Sequence, residues 1–278
     1  MKTTLSFHLR QWWTFYTQAK TVHQADSPFI YRFCEEVLES DSRETWFEKI
    51  EKVRRDLLQN NERFEHMDFG AGQSLPGEYP TKPRIRDFIR SSAIRPKQGR
   101  ILHRITRFFK AGHILELGTA AGLSAAYLSP PGGPAQLITV EGDPMLARLA
   151  KKNFDALGIH PTLITGSFDQ MLPGILNKNP VFDLIFIDGN HRGAALQSYV
   201  DLLGNYLHPE HGTIILDDIH WNQDMADAWE KLRADRKWNL SLDLYQFGLL
   251  IRNRDLLHPA SFNLIEWKRK PLNPGIFR

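Results

Sequence analysis

Cysteine is almost missing from this chain of 278 residues: Cys34 is the only one, so no disulfide can close within it, and a reducing compartment is expected. Long apolar runs are missing too. No stretch approaches the ~20 apolar residues that a bilayer-crossing helix needs. The opening "MKTTLSFHLRQWWTFYTQAK" lacks the unbroken apolar core of a signal peptide, so a cytoplasmic protein without a membrane span is expected. The formal charge is only +3, and no segment gathers lysine and arginine with interleaved aromatics, which argues against nucleic acid as a partner. There is no internal repeat and no low-complexity tract. What is present, 42% hydrophobic and 24% charged residues, can bury a substantial core in one large domain, or in one domain with an appendage.

Two regimes meet near residue 111. The first reads as helix and loop. Trp12, Trp13, Phe15 and Tyr16 share one helix, Ser27-Pro28 opens a second in "SPFIYRFCEEVLES", and "DSRETWFEKIEKVRRDLLQNN" makes a third with one charged face. "DFGAGQSLPGEYPTKP" is too rich in glycine and proline for a regular element. Two more helices are expected around residues 83–94 and 98–110. Short apolar runs then alternate with helix-length segments, at 113–117, 136–141, 162–165, 182–188 and 213–217. That alternation implies an α/β fold, a parallel sheet doubly wound with helices on both faces. "LSLDLYQFGLLIR" reads instead as two strands around Gln246-Phe247-Gly248, too close for a crossover helix, so an antiparallel pair should close one edge.

Two glycine-rich turns compete as ligand cradles. "HMDFGAGQSLPG", from His66, has no apolar strand before it and no prompt helix after it, and is taken as a plain loop or a cover. "HILELGTAAGLSAAYLS" has the required context: a strand runs into Gly118, and Gly122 and Ser124 open a helix. Ala120 stands where a dinucleotide turn would place its second glycine, and no lysine or arginine occurs between Ile114 and Ser129. With Glu116 beside it, this acidic turn suits a cationic ligand such as S-adenosylmethionine. The next strand ends at Glu141, which can accept both hydroxyls of a ribose or, more blandly, complement a helix dipole.

Taken in order, these segments resemble the class I S-adenosylmethionine-dependent methyltransferases, specifically the small-molecule O-methyltransferases related to the catechol enzyme. "LELGTAAGLSAAYL" is similar to their first motif, "VEGDP" to the second, "FDLIFIDGNH" to the fourth, and "GTIILDDIHW" to the strand after it. The resemblance spans roughly residues 98–252. It implies a Rossmann-like, mostly parallel seven-stranded sheet with an antiparallel last strand, preceded by a helical cap. The division that follows is a cap over residues 1–97, a cofactor-binding domain over 98–257 and a tail over 258–278. "ITGSFDQMLP" resembles the third motif, which makes Ser167 and Phe168 candidates for hydrogen bonding and stacking with adenine; the phenylalanine suits the core equally well.

Asp188 ends the fourth strand and Asp217-Asp218 end the fifth, so the three acids should converge. Clustered carboxylates raise one another's pKa values unless a cation neutralises them, and an all-oxygen set favours Mg²⁺, Ca²⁺ or Mn²⁺. The bland alternative is that the acid pair caps the loop before "WNQDMADAWEKL". In metal-dependent relatives the matching acids hold the ion, which activates the acceptor's hydroxyl. Two departures stand out. The catechol enzymes carry Asp-Asn at the Asp217-Asp218 position and a lysine at the His191 position, whereas an acidic pair with a histidine resembles relatives acting on sugar or antibiotic hydroxyls. His191 is therefore the candidate general base, weighed against an ordinary loop histidine, with His220 as a substitute. Trp221 either walls the acceptor or anchors the next helix. The competing functions are a metal-independent methyltransferase and a non-catalytic cofactor-binding protein; a nicotinamide oxidoreductase is disfavoured by the glycine spacing. The expected partner is a small molecule bearing a hydroxyl, and an exposed aromatic first helix would suit a homodimer.

Overall fold

The structure, a computed structural model, describes residues 5–42, 44–67, 82–133, 135–178, 180–256 and 258–270. The irregular stretch expected at 66–80 lies, after Met67, outside the described residues, as does the tail after Lys270. Among the described residues five α-helices precede the first strand: α1 (Leu5–Gln18), α2 (Pro28–Phe33), α3 (Thr45–Gln59), α4 (Ile85–Ser92) and α5 (Pro96–Phe108). Pro28 and Pro96 each sit in a first helical turn, where a missing N–H leaves no bond unmade. α2 widens into a π-turn over Cys34–Leu38, so the second expected helix is two geometries in series.

From residue 113 the alternation is regular: β1 (His113–Leu117), α6 (Leu123–Leu128), β2 (Gln136–Glu141), α7 (Pro144–Leu157), β3 (Thr162–Thr165), α8 (Phe168–Leu176), β4 (Leu184–Ile187), α9 (Gly193–Gly204), β5 (Thr213–Asp217) and α10 (Gln223–Arg233). β6 (Leu240–Asp243), β7 (Phe247–Ile251) and β8 (Ala260–Asn263) complete a sheet ordered β3-β2-β1-β4-β5-β7-β6-β8. Among the described residues eight strands replace the expected seven. The extra one comes from the expected tail, where Ala260-Ser261-Phe262-Asn263 is too short and polar to read as a strand; backbone pairing with β6, in parallel, makes it one. β7 runs antiparallel between β5 and β6, so the hairpin lies inside the sheet and β8 forms the edge.

Strand residues alternate between two cores. Leu115, Ile185, Ile214 and Leu250 face Leu172, Leu196 and Trp229 of α8, α9 and α10. Ile114, Phe186, Ile215 and Leu249 face Leu102 and Ile105 of α5 and Leu123 of α6. Both faces are covered, which is why β4 is apolar at all four positions. Each such side chain gains about 1.5–3 kcal/mol from leaving water, before conformational entropy is charged against it.

The register positions the site. Leu117 pairs with Val140 on one side and Ile187 on the other, and Ile187 pairs with Leu216. One step further, Gly118, Glu141, Asp188 and Asp217 stand side by side at the carboxyl edge. Strand order reverses between β1 and β4, the crevice where open α/β sheets take ligands. The two ends of the described chain meet nearby. Lys20 N donates to Asn263 O at 2.7 Å, Ile265 N donates to Lys20 O at 3.0 Å, and Lys270 Nζ donates to Ala19 O at 2.6 Å. Phe15 of α1 packs with Ile265 and Tyr245 in a small satellite core. Among the described residues no helix is long and apolar enough to cross a membrane.

Candidate active site

The turn after β1 is shaped by backbone angles that side chains resist. Gly118 has φ +101°, and a Cβ there would lie 1.9 Å from the Asp188 carbonyl oxygen, so only glycine lets β1 and β4 approach so closely. Ala120 adopts φ +47°, held by its N–H donating to Glu141 Oε2 at 2.7 Å. Gly122 (φ +78°) caps α6, with the Phe154 ring where a Cβ would go. Glu141 Oε1 accepts from Asp143 N at 2.9 Å. Burial raises the Glu141 pKa, while these two backbone donors oppose the rise.

Below the turn, Glu116 is fully buried. Thr139 Oγ1 donates to Glu116 Oε2 at 2.6 Å and lies 2.5 Å from Thr119 Oγ1. Burial pushes the Glu116 carboxyl up to about 7, against hydrogen bonds from Ser124 and Thr139. Ser124 thus turns toward Glu116 beneath the turn, and Glu116 Oε1 is buried without a hydrogen-bond partner. On the far side, Phe168 meets Tyr199 edge-on at 5.7 Å and lies where a Cβ on Gly189 would fall, at 2.9 Å. Ser167 is the N-cap of α8 and makes no side-chain cap bond.

The three aspartates do come together. Asp188 is half-buried beside Asp217; burial first, then the charges of Asp217, Asp218 and Glu116, hold the Asp188 pKa well above the carboxylate range. Asp217 is pushed up to about 7 by burial and by Asp218, with the Gln246 amide and the Asp218 N–H pulling the other way. Gln246 Nε2 donates to Asp217 Oδ1 at 2.7 Å and to Asp218 Oδ1 at 2.6 Å. The donor set is chemically suited to a hard divalent ion, but its arrangement does not fit one. Asp188 and Asp217 bond to each other, an amide nitrogen lies between Asp217 and Asp218, and no three acidic or histidine side chains among the described residues are grouped to hold a metal.

His191 follows Asn190, which adopts φ +56°, and the imidazole lies 6.1 Å centroid to centroid from the Trp221 ring. Trp221 N donates to Asp218 O at 2.9 Å, so His191 and Trp221 bring the loops after β4 and β5 together above the acids. His220 does not join them. It is buried, with Nε2 3.0 Å from Asp243 Oδ2 and its ring stacked on Tyr245, which commits it to the β6–β7 turn.

Residues 115–219 match the family model described as a methyltransferase domain. This segment is similar to methyltransferase domains. Catechol O-methyltransferase from Niastella koreensis is 36% identical over 142 residues, 47% of this chain and 63% of that protein. The chain spans less than two thirds of the length of the curated relatives it matches. Among solved structures, the O-methyltransferase TomG from Streptomyces achromogenes in complex with SAM superposes with a TM-score of 0.53 at 18% identity, covering 80% of this chain and 95% of that one. The SAH-bound methyltransferase PaMTH1 from Podospora anserina gives 0.53 at 18% identity, covering 92% and 98%. At such identities the superpositions establish the fold. The matched segment carries the glycine turn, Glu141, Asp188, His191 and the acid pair. Gln246, beyond it in sequence, completes the site from the β6–β7 turn; its only signal was to be the polar residue between two apolar strands. Asp143 was missed as well. It accepts from Met67 N at 3.0 Å and lies 2.8 Å from His66 Nδ1, tying the segment before residue 68 to the matched segment beside Glu141.

Proposed function

We propose that the protein catalyses S-adenosylmethionine-dependent methyl transfer to a hydroxyl of a small molecule. The observation that carries this reading is the adjacency of Gly118, Glu141 and Asp188 at the switch point, an acidic cradle with no basic side chain in its turn. The cofactor supplies an electrophilic methyl group and leaves as S-adenosylhomocysteine. Glu141 has free lone pairs for two ribose hydroxyls, the Gly118–Gly122 turn offers backbone at close range, and Phe168 offers a face for adenine. A sulfonium beside Glu116 and Asp188 favours their ionised forms against the burial that raises both pKa values; Glu116, wholly buried, acts through its field and Ser124 by holding it. Ser167 lies one residue from Phe168, within the same loop. His191 takes the proton of the acceptor's hydroxyl as oxygen bonds to the methyl carbon, and Trp221 keeps that imidazole over the acids. Residues 1–97 serve as the cap and 98–257 as the cofactor-binding unit, with β8 added to the latter.

A divalent ion at Asp188, Asp217 and Asp218 is the second reading, favoured by the mutual repulsion of those acids. The Gln246 bridge and the Asp188–Asp217 bond oppose it, and no step above depends on an ion. Two measurements test the primary reading. Calorimetry should detect S-adenosylhomocysteine binding, and its absence would sink the proposal. His191→Ala should slow methyl transfer by about 10²–10⁴-fold with cofactor affinity unchanged, and an unaltered rate removes His191 from the mechanism. Activity that vanishes with chelator and returns with Mg²⁺ would move the second reading ahead.

A further inference from the structure

Two sizeable cavities lie away from the chemistry. One of about 600 Å³ opens at the amino ends of β1, β2 and β3, and one of about 550 Å³ lies beside α7 and β3. A third, about 310 Å³, opens on the carboxyl edge between α1, the first turn of α5 and the β6–β7 turn. Its surface divides in two. The inner part is apolar, built from Phe15, Phe247 and Leu264, with Trp12 meeting Tyr245 edge-on at 4.7 Å. The outer part is charged: Arg95, Lys97 and Arg269 against one acid, Glu266. Lys97 and Arg269 both approach Glu266 Oε2, at 2.5 and 3.5 Å, which leaves a surplus of two positive charges at the rim. Arg95 is the N-cap of α5, so the positive end of that helix adds to the same field.

One further lining residue connects this cavity to the reaction. Gln246 borders it and donates to Asp217 and Asp218. A ligand in the cavity therefore has an apolar surface along its length, cations at its outer end and the acid cluster beyond Gln246 at its inner end. The volume stands at the small end of ligand sites, enough for about one ring and a short side chain.

We infer that this cavity seats the methyl acceptor, and that the acceptor is a small amphipathic hydroxy acid. Its carboxylate lies at Arg95, Lys97 and Arg269, its apolar body against Trp12 and Tyr245, and its hydroxyl points to Gln246. The inference rests on the methyl-transfer reading, but its test does not need turnover. Calorimetry on the full chain without cofactor uses 4-hydroxycinnamate and its methyl ester as probes. The acid is expected to bind about tenfold tighter than the ester. In the Arg95→Gln, Arg269→Gln double variant the acid should lose about tenfold, some threefold per exposed cation, and the ester nothing. Trp12→Ala should weaken both probes. S-adenosylhomocysteine should bind the double variant as it binds the wild type. No binding of the acid, equal binding of acid and ester, or an acid affinity untouched by the double variant overturns the inference. A wild type that binds the acid as expected but not S-adenosylhomocysteine would overturn the methyl-transfer reading instead.

Discussion

Replacing Asp217 by asparagine should make the ligand-free protein more stable at pH 8. The carboxyl of Asp217, 7% exposed, is moved from 3.8 to about 7, first by burial and then by the charge of Asp218. That is about a thousandfold in proton affinity, on the order of 4 kcal/mol in linked free energy. The sign follows from which state holds the proton. The unfolded chain releases it near pH 4 and the folded protein keeps it to about pH 7. The stabilisation present below pH 4 is therefore lost progressively as pH rises through 7, then levels off. Glu116, raised from 4.5 to about 7, pulls in the same direction. Asparagine preserves the bonding without a titrating proton: its Oδ1 accepts from Gln246 Nε2 and Asp218 N as the carboxylate does, and its Nδ2 donates to Asp188. The expected gain is about 3 kcal/mol at pH 8 and close to nothing at pH 4.5. Urea unfolding followed by circular dichroism at pH 4.5, 6 and 8 measures it. A variant less stable than wild type at pH 8, or equally stabilised at every pH, would show that Asp217 is not a buried carboxyl under electrostatic load.

Gly118→Ala must push Asp188 away from a Cβ placed 1.9 Å from its carbonyl oxygen, so S-adenosylhomocysteine affinity should fall at least about a hundredfold and stability by about 2–4 kcal/mol; wild-type calorimetry would refute this. Glu141→Gln sets an amide NH₂ against either Ala120 N–H or Asp143 N–H, and should cost about 1–3 kcal/mol of stability together with most of the cofactor affinity, both read by melting with and without S-adenosylhomocysteine. Wild-type protein without ligand should lose stability between pH 5 and pH 8, and a flat profile would contradict the raised carboxyls.

The alternating half of the fold was legible because its signals are local. Strands in a covered sheet carry short apolar runs, and β1, β2, β3 and β5 have the bounds those runs suggested. Gly118, Glu141 and Asp188 could be placed together because parallel register converts strand ends into neighbours. β8 was not legible, since Ser261 and Asn263 carry no strand pattern and the pairing is made by backbone. His220 stood as a substitute for His191; the approach of Asp243, some twenty residues later, commits it elsewhere. The metal expectation counted carboxylates and could not see Gln246, whose amide reaches them from a turn 28 residues away.

The pairing of Lys20 with Asn263 and Ile265 orders events during synthesis. As the ribosome extends the chain, α1 emerges before its docking partners, which begin some 200 residues later with Gln223 and Tyr245 and end with β8 and Lys270. Trp12 and Phe15 must wait, exposed, while the sheet assembles. The nascent protein can thus pair β1 to β5 before it can close the cavity between α1 and the β6–β7 turn.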